Sequence, residues 1–318
     1  MDINKLKLDY GLDFRVQEPL ASHTTYRIGG PAEYYVEVKN ETGLRQAIQA
    51  ALDNQLAYFI LGNGSNVLVS DDGFPGLVIR LIEGSSQTME TGIKVFAGNA
   101  WPKLVRQTIA AGFEGLEFSA NIPGAVGGMI RGNAGAYGKG VGDFVKAVEA
   151  LIINGTEVSL KIYNQAECEF AYRESLFKKN PQIIIANVTF ELPRATREPE
   201  TLLREIAEEN ATRCAKQPLR YPSAGCSFKN LEYSEAFAQY REWASNGKIA
   251  AGKFIDVAGL KGKSIGGAKI SEEHANFIIN FDGTATASDV IQLISLVKMT
   301  VRDQFGVELE EEIQYVGF

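Results

Sequence analysis

Ser119-Ala-Asn-Ile-Pro-Gly-Ala-Val-Gly-Gly-Met-Ile-Arg-Gly-Asn-Ala-Gly-Ala-Tyr-Gly138 carries glycine at positions 124, 127, 128, 132, 135 and 138, with Gly115 just ahead of it. Glycine loses the most conformational freedom on folding, so a cluster of them between apolar segments needs a reason, either positive φ or close approach of the backbone to a ligand. The stretch therefore reads as a loop that receives an anionic ligand such as a pyrophosphate. Upstream, the strand-like Tyr58-Phe-Ile-Leu61 runs into Gly62-Asn-Gly-Ser-Asn66 and then into the apolar Val67-Leu-Val69. Successive N–H groups in such a turn form a concave nest for phosphate oxygens. Taken singly, a Gly-Asn-Gly turn is explained by turn chemistry alone; two such loops flanking one βαβ-like stretch point to a dinucleotide. The Rossmann fingerprint wants G-x-G-x-x-G entering a helix, with an acid about 20 positions on. Here Gly62-x-Gly64 leads into a second strand, which disfavours a nicotinamide-type site of that kind.

The rest of the chain is ordinary in composition. With 318 residues, 45% apolar and 22% charged, it has the length for two or three domains and a substantial core. A net charge of −7 argues against general affinity for nucleic acid or an anionic membrane surface. An anionic substrate must then be held by a local cluster of cations. Met1-Asp-Ile-Asn-Lys-Leu-Lys7 has no apolar core of a signal peptide, and no apolar run approaches the roughly 20 residues of a membrane span. The expected location is the cytoplasm, as a monomer. Three cysteines, Cys168, Cys214 and Cys226, give an odd count without CxxC spacing, and there are two histidines, so neither a disulfide framework nor a metal site is expected.

In chain order, a Gly-Gly-Pro turn leads into a strand ending at Val38, and Leu44, Ile48, Ala51 and Leu52 recur on one helix face between Glu41 and Leu52. A strand from Lys94 to Ala97 and a helix from Trp101 to Ala111, stopped by Gly112, follow. Asn154-Gly155 between two apolar runs signals a hairpin, and Gln182 to Leu192 reads as β. Beyond the polar stretch 194–200 come a helix from Thr201 to Lys216, a helix near Tyr233 to Ala244, and an amphipathic helix after Ser288 with Val290, Ile294, Val297 and Val301 in its core face. The expected division is 1–81, 82–193 and 194–318.

Leu61-Gly-Asn-Gly-Ser-Asn66, Asn121-Ile-Pro-Gly-Ala-Val-Gly-Gly128 and Asn133-Ala-Gly-Ala-Tyr-Gly138 resemble the flavin-binding loops of the UDP-N-acetylenolpyruvoylglucosamine reductase family, within the vanillyl-alcohol-oxidase-like, PCMH-type flavoproteins. The resemblance continues in order through Tyr172-Arg-Glu-Ser175, Ser223-Ala-Gly-Cys-Ser-Phe-Lys-Asn230, Ala258-Gly-Leu-Lys-Gly262, Ile265-Gly-Gly-Ala268, Ser271-Glu-Glu-His-Ala-Asn-Phe277 and Leu309-Glu-Glu-Glu-Ile313, nearly the whole chain. It implies an α+β fold, with a two-subdomain FAD-binding module (1–81 and 82–193) followed by a smaller α+β substrate-binding domain (194–318). It also implies noncovalent FAD, NADPH as hydride donor, and a nucleotide-sugar enolpyruvyl substrate reduced to UDP-N-acetylmuramate for peptidoglycan synthesis. By resemblance the flavin contacts are Gly62, Asn63, Gly64, Ser65, Asn66, Asn121, Ile122, Pro123, Gly124, Val126, Gly127, Gly128, Asn133 and Gly135.

Reduction of an enol ether conjugated to a carboxylate develops negative charge on the substrate, so the site needs a fixed cation, a proton donor and a further polar group. Arg173 matches the family's arginine, whose planar fork pairs a carboxylate in two bonds. Cys226 stands where the family commonly has a serine donor. A thiol, with reference pKa about 8.5, is a stronger acid than an alcohol. Free cysteine is also a common small core residue, and Ser227 is the rival donor if the register shifts by one. Glu312 matches the family's late glutamate. Alternation would set Glu310 and Glu312 on one strand face, opposite Leu309, Glu311 and Ile313. Without the resemblance this acidic run reads as a solvated surface. Tyr172, Lys229 and Asn230 are the candidates for substrate contact, and His274 reads as a structural hydrogen-bonder. Two alternatives stay open: a flavin-dependent oxidase or reductase of the same fold acting on another substrate, or a flavin-binding protein inactivated at Cys226.

Overall fold

The strand Pro31–Val38 buries Ala32, Tyr34, Tyr35, Val36 and Val38 and anchors a four-stranded sheet in the order Arg15–Pro19, Pro31–Val38, Phe74–Leu81, Tyr58–Leu61. In this computed structural model, residues 3–136 and 138–318 are described; Met1 and Asp2 of the amino-terminal stretch and Tyr137 of the glycine-rich motif lie outside the described residues. Tyr58–Leu61 runs parallel to the next strand, Tyr58 opposite Leu77 and Leu61 opposite Arg80, so the chain leaves that sheet's edge directly into Gly62. The helix Glu41–Asp53 starts where the Asn40 side chain accepts the Gly43 N–H (2.8 Å), and it buries Leu44, Ala47, Ile48 and Ala51 as their spacing requires.

A second sheet is antiparallel throughout: Glu157–Asn164, Val145–Asn154, Ile183–Glu191, Gly92–Phe96, Ser86–Met89. Its hairpin turns at Gly155, φ 60°, where the Asn-Gly signal falls. The helix Trp101–Ala110 ends before Gly112, φ 77°. Its first residue, fully buried Trp101, donates its indole N–H to the Ser119 carbonyl (3.1 Å), which ties the glycine-rich segment to the core.

The chain forms two compact units. One comprises Met1–Glu18, Glu33–Asn63 and Pro75–Ala211; the other comprises Pro19–Ala32, Gly64–Phe74 and Thr212–Phe318. These boundaries differ from the expected breaks at 81 and 193, because two short amino-terminal segments are bonded into the carboxy-terminal unit. Val67–Val69 pairs in parallel with Gln314–Val316, and Gly73 lies so close to Pro31 that a Cβ there would meet the Pro31 carbonyl oxygen at 1.9 Å. The centre of this second unit is the sheet Ser223–Cys226, Phe277–Asn280, Ala268–Ile270, Ser264–Ile265, packed with the helices Ala251–Val257 and Ala287–Phe305. Val290, Ile294, Val297 and Val301 are buried, as read.

Two local expectations fail. The segment 233–244 is no α-helix: Glu235–Trp243 is 3-10 structure broken at Phe237 and Tyr240. Its aromatics fall at a three-residue period, and side chains three apart eclipse in that geometry, which lets Tyr240 and Trp243 stack at 5.1 Å against Phe254 and Phe305. The acidic run 309–313 forms no regular strand: the strand proper begins at Gln314, and before it, among the described residues, only Glu311 bridges to Phe228.

Candidate active site

In the first unit the glycine-rich segment is built around the helix Val126–Arg131. Its first two N–H groups go to the end of the neighbouring strand, Val126 to the Asn99 carbonyl (2.9 Å) and Gly127 to that of Ala97 (2.8 Å). A Cβ on Gly127 would sit 3.0 Å from the Ala97 Cβ, and one on Gly62 3.1 Å from the Ala125 Cβ, so these two glycines let backbone pack on backbone. Gly128 differs. It is exposed and, among the described residues, no atom lies within 4 Å of the Cβ it would carry.

Two of the residues read as flavin contacts bond to protein groups. The Asn121 amide donates to the Ile206 carbonyl (3.0 Å), while Asn133, at φ 40°, donates to the Ala171 carbonyl (2.8 Å) and accepts the Gly142 N–H (3.0 Å). Asn133 thereby staples the loop to the turn that carries Arg173. That turn is closed twice, by the Glu174 N–H to the Ala171 carbonyl (3.2 Å) and the Ala171 N–H to the Glu174 carbonyl (3.1 Å). Arg173 occupies it at φ 55°, its guanidinium donating to the Gly135 carbonyl (3.3 Å) and lying 5.2 Å from the Tyr172 ring centre. Arg131 supplies a second guanidinium nearby in the chain's fold, its affinity for its proton lowered by burial and partly restored by Glu174.

In the second unit Gly64 is buried at φ 63°, and a Cβ there would come within 2.3 Å of the His23 carbonyl oxygen. Thr25 bonds this loop and the strand Ser223–Cys226 together, its N–H to the Gly64 carbonyl (3.0 Å) and its hydroxyl to the Ser223 carbonyl (2.7 Å). Cys226 lies opposite Phe277 and follows Gly225, φ 78°. The next residues run antiparallel to the acidic stretch: the Glu312 N–H reaches the Ser227 carbonyl (2.8 Å) and the Lys229 N–H that of Glu310 (2.8 Å). Asn66 completes the group, its amide donating to the Glu312 carbonyl (3.1 Å) and its own carbonyl accepting the Gln314 N–H (3.0 Å).

The three acids have separate surroundings. Glu310 pairs with Lys229, and Glu311 with Lys298 at 2.6 Å; the Glu312 main chain is bonded at both its N–H and its carbonyl beside the Cys226 strand. Ser227 is 3% exposed whereas Cys226 is half-buried, so of the two candidate donors Cys226 is the more exposed residue. Asn230 caps a neighbouring segment, its side-chain oxygen accepting the Ala251 N–H (3.2 Å).

Comparison with known proteins bears directly on this arrangement. Residues 32–161 match the FAD binding domain, and residues 217–316 match the C-terminal domain of UDP-N-acetylenolpyruvoylglucosamine reductase. UDP-N-acetylenolpyruvoylglucosamine reductase of Anoxybacillus flavithermus is 39% identical over 302 residues, 94% of this chain and 93% of the relative. That of Carboxydothermus hydrogenoformans is 38% identical over 323 residues, 99% of this chain and 100% of the relative. The crystal structure of the Thermus caldophilus reductase matches with a TM-score of 0.73 at 35% identity, covering 96% of this chain and 98% of that one. The chain belongs to the UDP-N-acetylenolpyruvoylglucosamine reductase family.

It is accordingly an oxidoreductase of the α+β class with a FAD-binding module, and FAD is its cofactor. The geometry fits that cofactor at Gly128. In a helix interior alanine is favoured over glycine by about 1 kcal/mol, and among the described residues nothing crowds this position, which leaves room for a ligand against the main chain. Among the residues missed from sequence, Asn276 is the clearest. Buried to 2%, it meets both main-chain groups of Phe228, donating to the carbonyl (2.8 Å) and accepting the N–H (3.0 Å), while its own carbonyl accepts the Ser227 N–H (2.7 Å). His274, whose Nδ1 accepts the Asn276 N–H (3.3 Å), is a structural hydrogen-bonder with its pKa lowered by burial. The motif Ser271 to Phe277 was visible, but nothing in the spacing tells a clamp of this kind from a surface turn.

Proposed function

We propose that the chain catalyses the NADPH-dependent, FAD-mediated reduction of UDP-N-acetylglucosamine enolpyruvate to UDP-N-acetylmuramate; its relatives are named UDP-N-acetylenolpyruvoylglucosamine reductase. The observation that supports it most is the hydrogen-bonded group in which Asn66 holds the Glu312 carbonyl and Ser227 its N–H, one residue from Cys226.

When bound, FAD reduced by NADPH would supply a hydride for the terminal alkene carbon. Arg173 pairs the substrate carboxylate, where negative charge develops, and stays charged throughout. The Cys226 thiol gives its proton to the carbon next to that carboxylate, and Glu312 orients and shares the charge. The loops Gly62–Asn66, Asn121–Gly128 and Asn133–Gly135 hold FAD, with Tyr172, Lys229 and Asn230 on the substrate side. In function, 1–81 and 82–193 form the flavin-binding part and 194–318 the substrate-binding part, in a cytoplasmic monomer.

The test is to mix purified protein, NADPH and the enolpyruvyl nucleotide sugar and follow the nicotinamide absorbance. Substrate-dependent oxidation with UDP-N-acetylmuramate as product is expected. Flavin reduction without product would point to a flavin-binding protein inactivated at Cys226, and turnover of an alcohol with oxygen to an oxidase. Light scattering at twice the chain's mass would overturn the monomer.

A further inference from the structure

Arg173 is an arginine where the backbone asks for glycine. Of the two central residues of the turn Ala171 to Glu174, Arg173 alone has positive φ, 55°, the third position at which such turns take glycine. A side chain held there persists only when its surroundings over-determine it, and such strain gathers at functional sites.

We propose that Lys178 is a positioning residue that holds Arg173 in this strained turn. Its ammonium donates to the Arg173 carbonyl at 2.7 Å. The peptide after Arg173 is thus tied at both ends, oxygen to Lys178 and the Glu174 N–H to the Ala171 carbonyl, while the guanidinium is tied to the Gly135 carbonyl. Lys178 is itself firmly mounted. It lies in the short helix Leu176–Lys179, whose capping Ser175 accepts the Lys178 N–H (3.3 Å) and donates to the Arg131 carbonyl (2.7 Å). The Lys178 ammonium is a second positive charge beside the turn that carries Arg173. It raises the local attraction for a carboxylate.

The functional half of this inference rests on the role given to Arg173 above; the backbone half does not. The experiment is a cycle of Lys178→Met in the natural chain and in an Arg173→Gly chain, with Lys178→Arg as the conservative variant. Lys178→Met is expected to slow product formation by about tenfold to a hundredfold, the effect of a misplaced binding group, with flavin reduction by NADPH unchanged; Lys178→Arg recovers most of the loss. Lys178→Met should also lower Tm by about 1–2 °C when Arg173 is present and by more beside glycine, where the same carbonyl bond is lost with no turn strain released. Equal Tm losses in both chains, or full turnover by Lys178→Met, would overturn the clamp. Full turnover by Arg173→Gly alone would instead remove the role of Arg173, and the stability cycle would still read the backbone claim.

Discussion

Gly64 and Gly128 both belong to the loops read as phosphate nests, yet they are glycine for different reasons. Gly64 is demanded by the protein, at φ 63° with the His23 carbonyl oxygen 2.3 Å from where a Cβ would stand. Gly64→Ala should cost about 2 kcal/mol or more, strain and overlap together, read as a lower urea midpoint with or without flavin. Gly128 has open space, so Gly128→Ala should raise the melting temperature of the flavin-free protein, by about 0.5–1 kcal/mol of stability, and weaken FAD binding. A fluorescence titration showing unchanged affinity would remove the argument that this position is kept bare for the cofactor. The same scale decides the donor. Cys226→Ala should leave flavin reduction intact and slow product formation, while Cys226→Ser keeps substantial activity; wild-type turnover by the alanine variant would pass the role to another group. Ser227, buried to 3%, is poorly placed to take it.

Among the elements, the helix Ala287–Phe305 shows how a short distant segment is recruited. Thr286 and Asp289 form a capping box at its start, the Thr286 hydroxyl accepting the Asp289 N–H (3.1 Å) and the Asp289 carboxylate the Thr286 N–H (3.0 Å). Asp71, from the strand–loop segment that follows the Gly62–Asn66 turn, then accepts the N–H groups of Ala287 (2.8 Å) and Ser288 (3.1 Å). A carboxylate facing a helix amino terminus is favoured by its unpaired donors and its dipole. Asp71→Ala and Thr286→Ala should each cost about 1 kcal/mol, measured by chemical denaturation. Only the Asp71 change should also disturb the segment Gly64–Phe74, seen as faster amide exchange there; equal exchange in both variants would show that the strand pairing alone fixes that segment.

For the molecule as a whole, two linkages set stability. FAD binds the folded chain, so at a hundredfold excess over its dissociation constant it should stabilise by about 2.7 kcal/mol; a melting temperature indifferent to FAD would contradict noncovalent binding. The second linkage is pH. Burial lowers the His274 pKa below its ordinary value, so between the folded and unfolded values the unfolded chain binds the extra proton. Stability from this group is full above the unfolded pKa, about 6.5, and falls as pH drops from there toward the folded value. His274→Gln should therefore flatten the stability difference between neutral and mildly acid solution, with no change in the alkaline range; an identical pH profile would assign the acid loss to other groups.

Much was legible because local chemistry carries it. The face of Leu44, Ile48 and Ala51, the Asn154-Gly155 hairpin, and the glycine loops are written in short-range periodicity and turn preference, and the ordered motifs gave the family. What tertiary structure alone decided is that Glu310 pairs with Lys229 and Glu311 with Lys298, that Asn121 and Asn133 turn to protein carbonyls, and that Gly64–Phe74 joins the carboxy-terminal unit. Those outcomes depend on partners tens to hundreds of residues away. A side chain's neighbours across such distances are set by packing of the finished fold, and no local pattern encodes them.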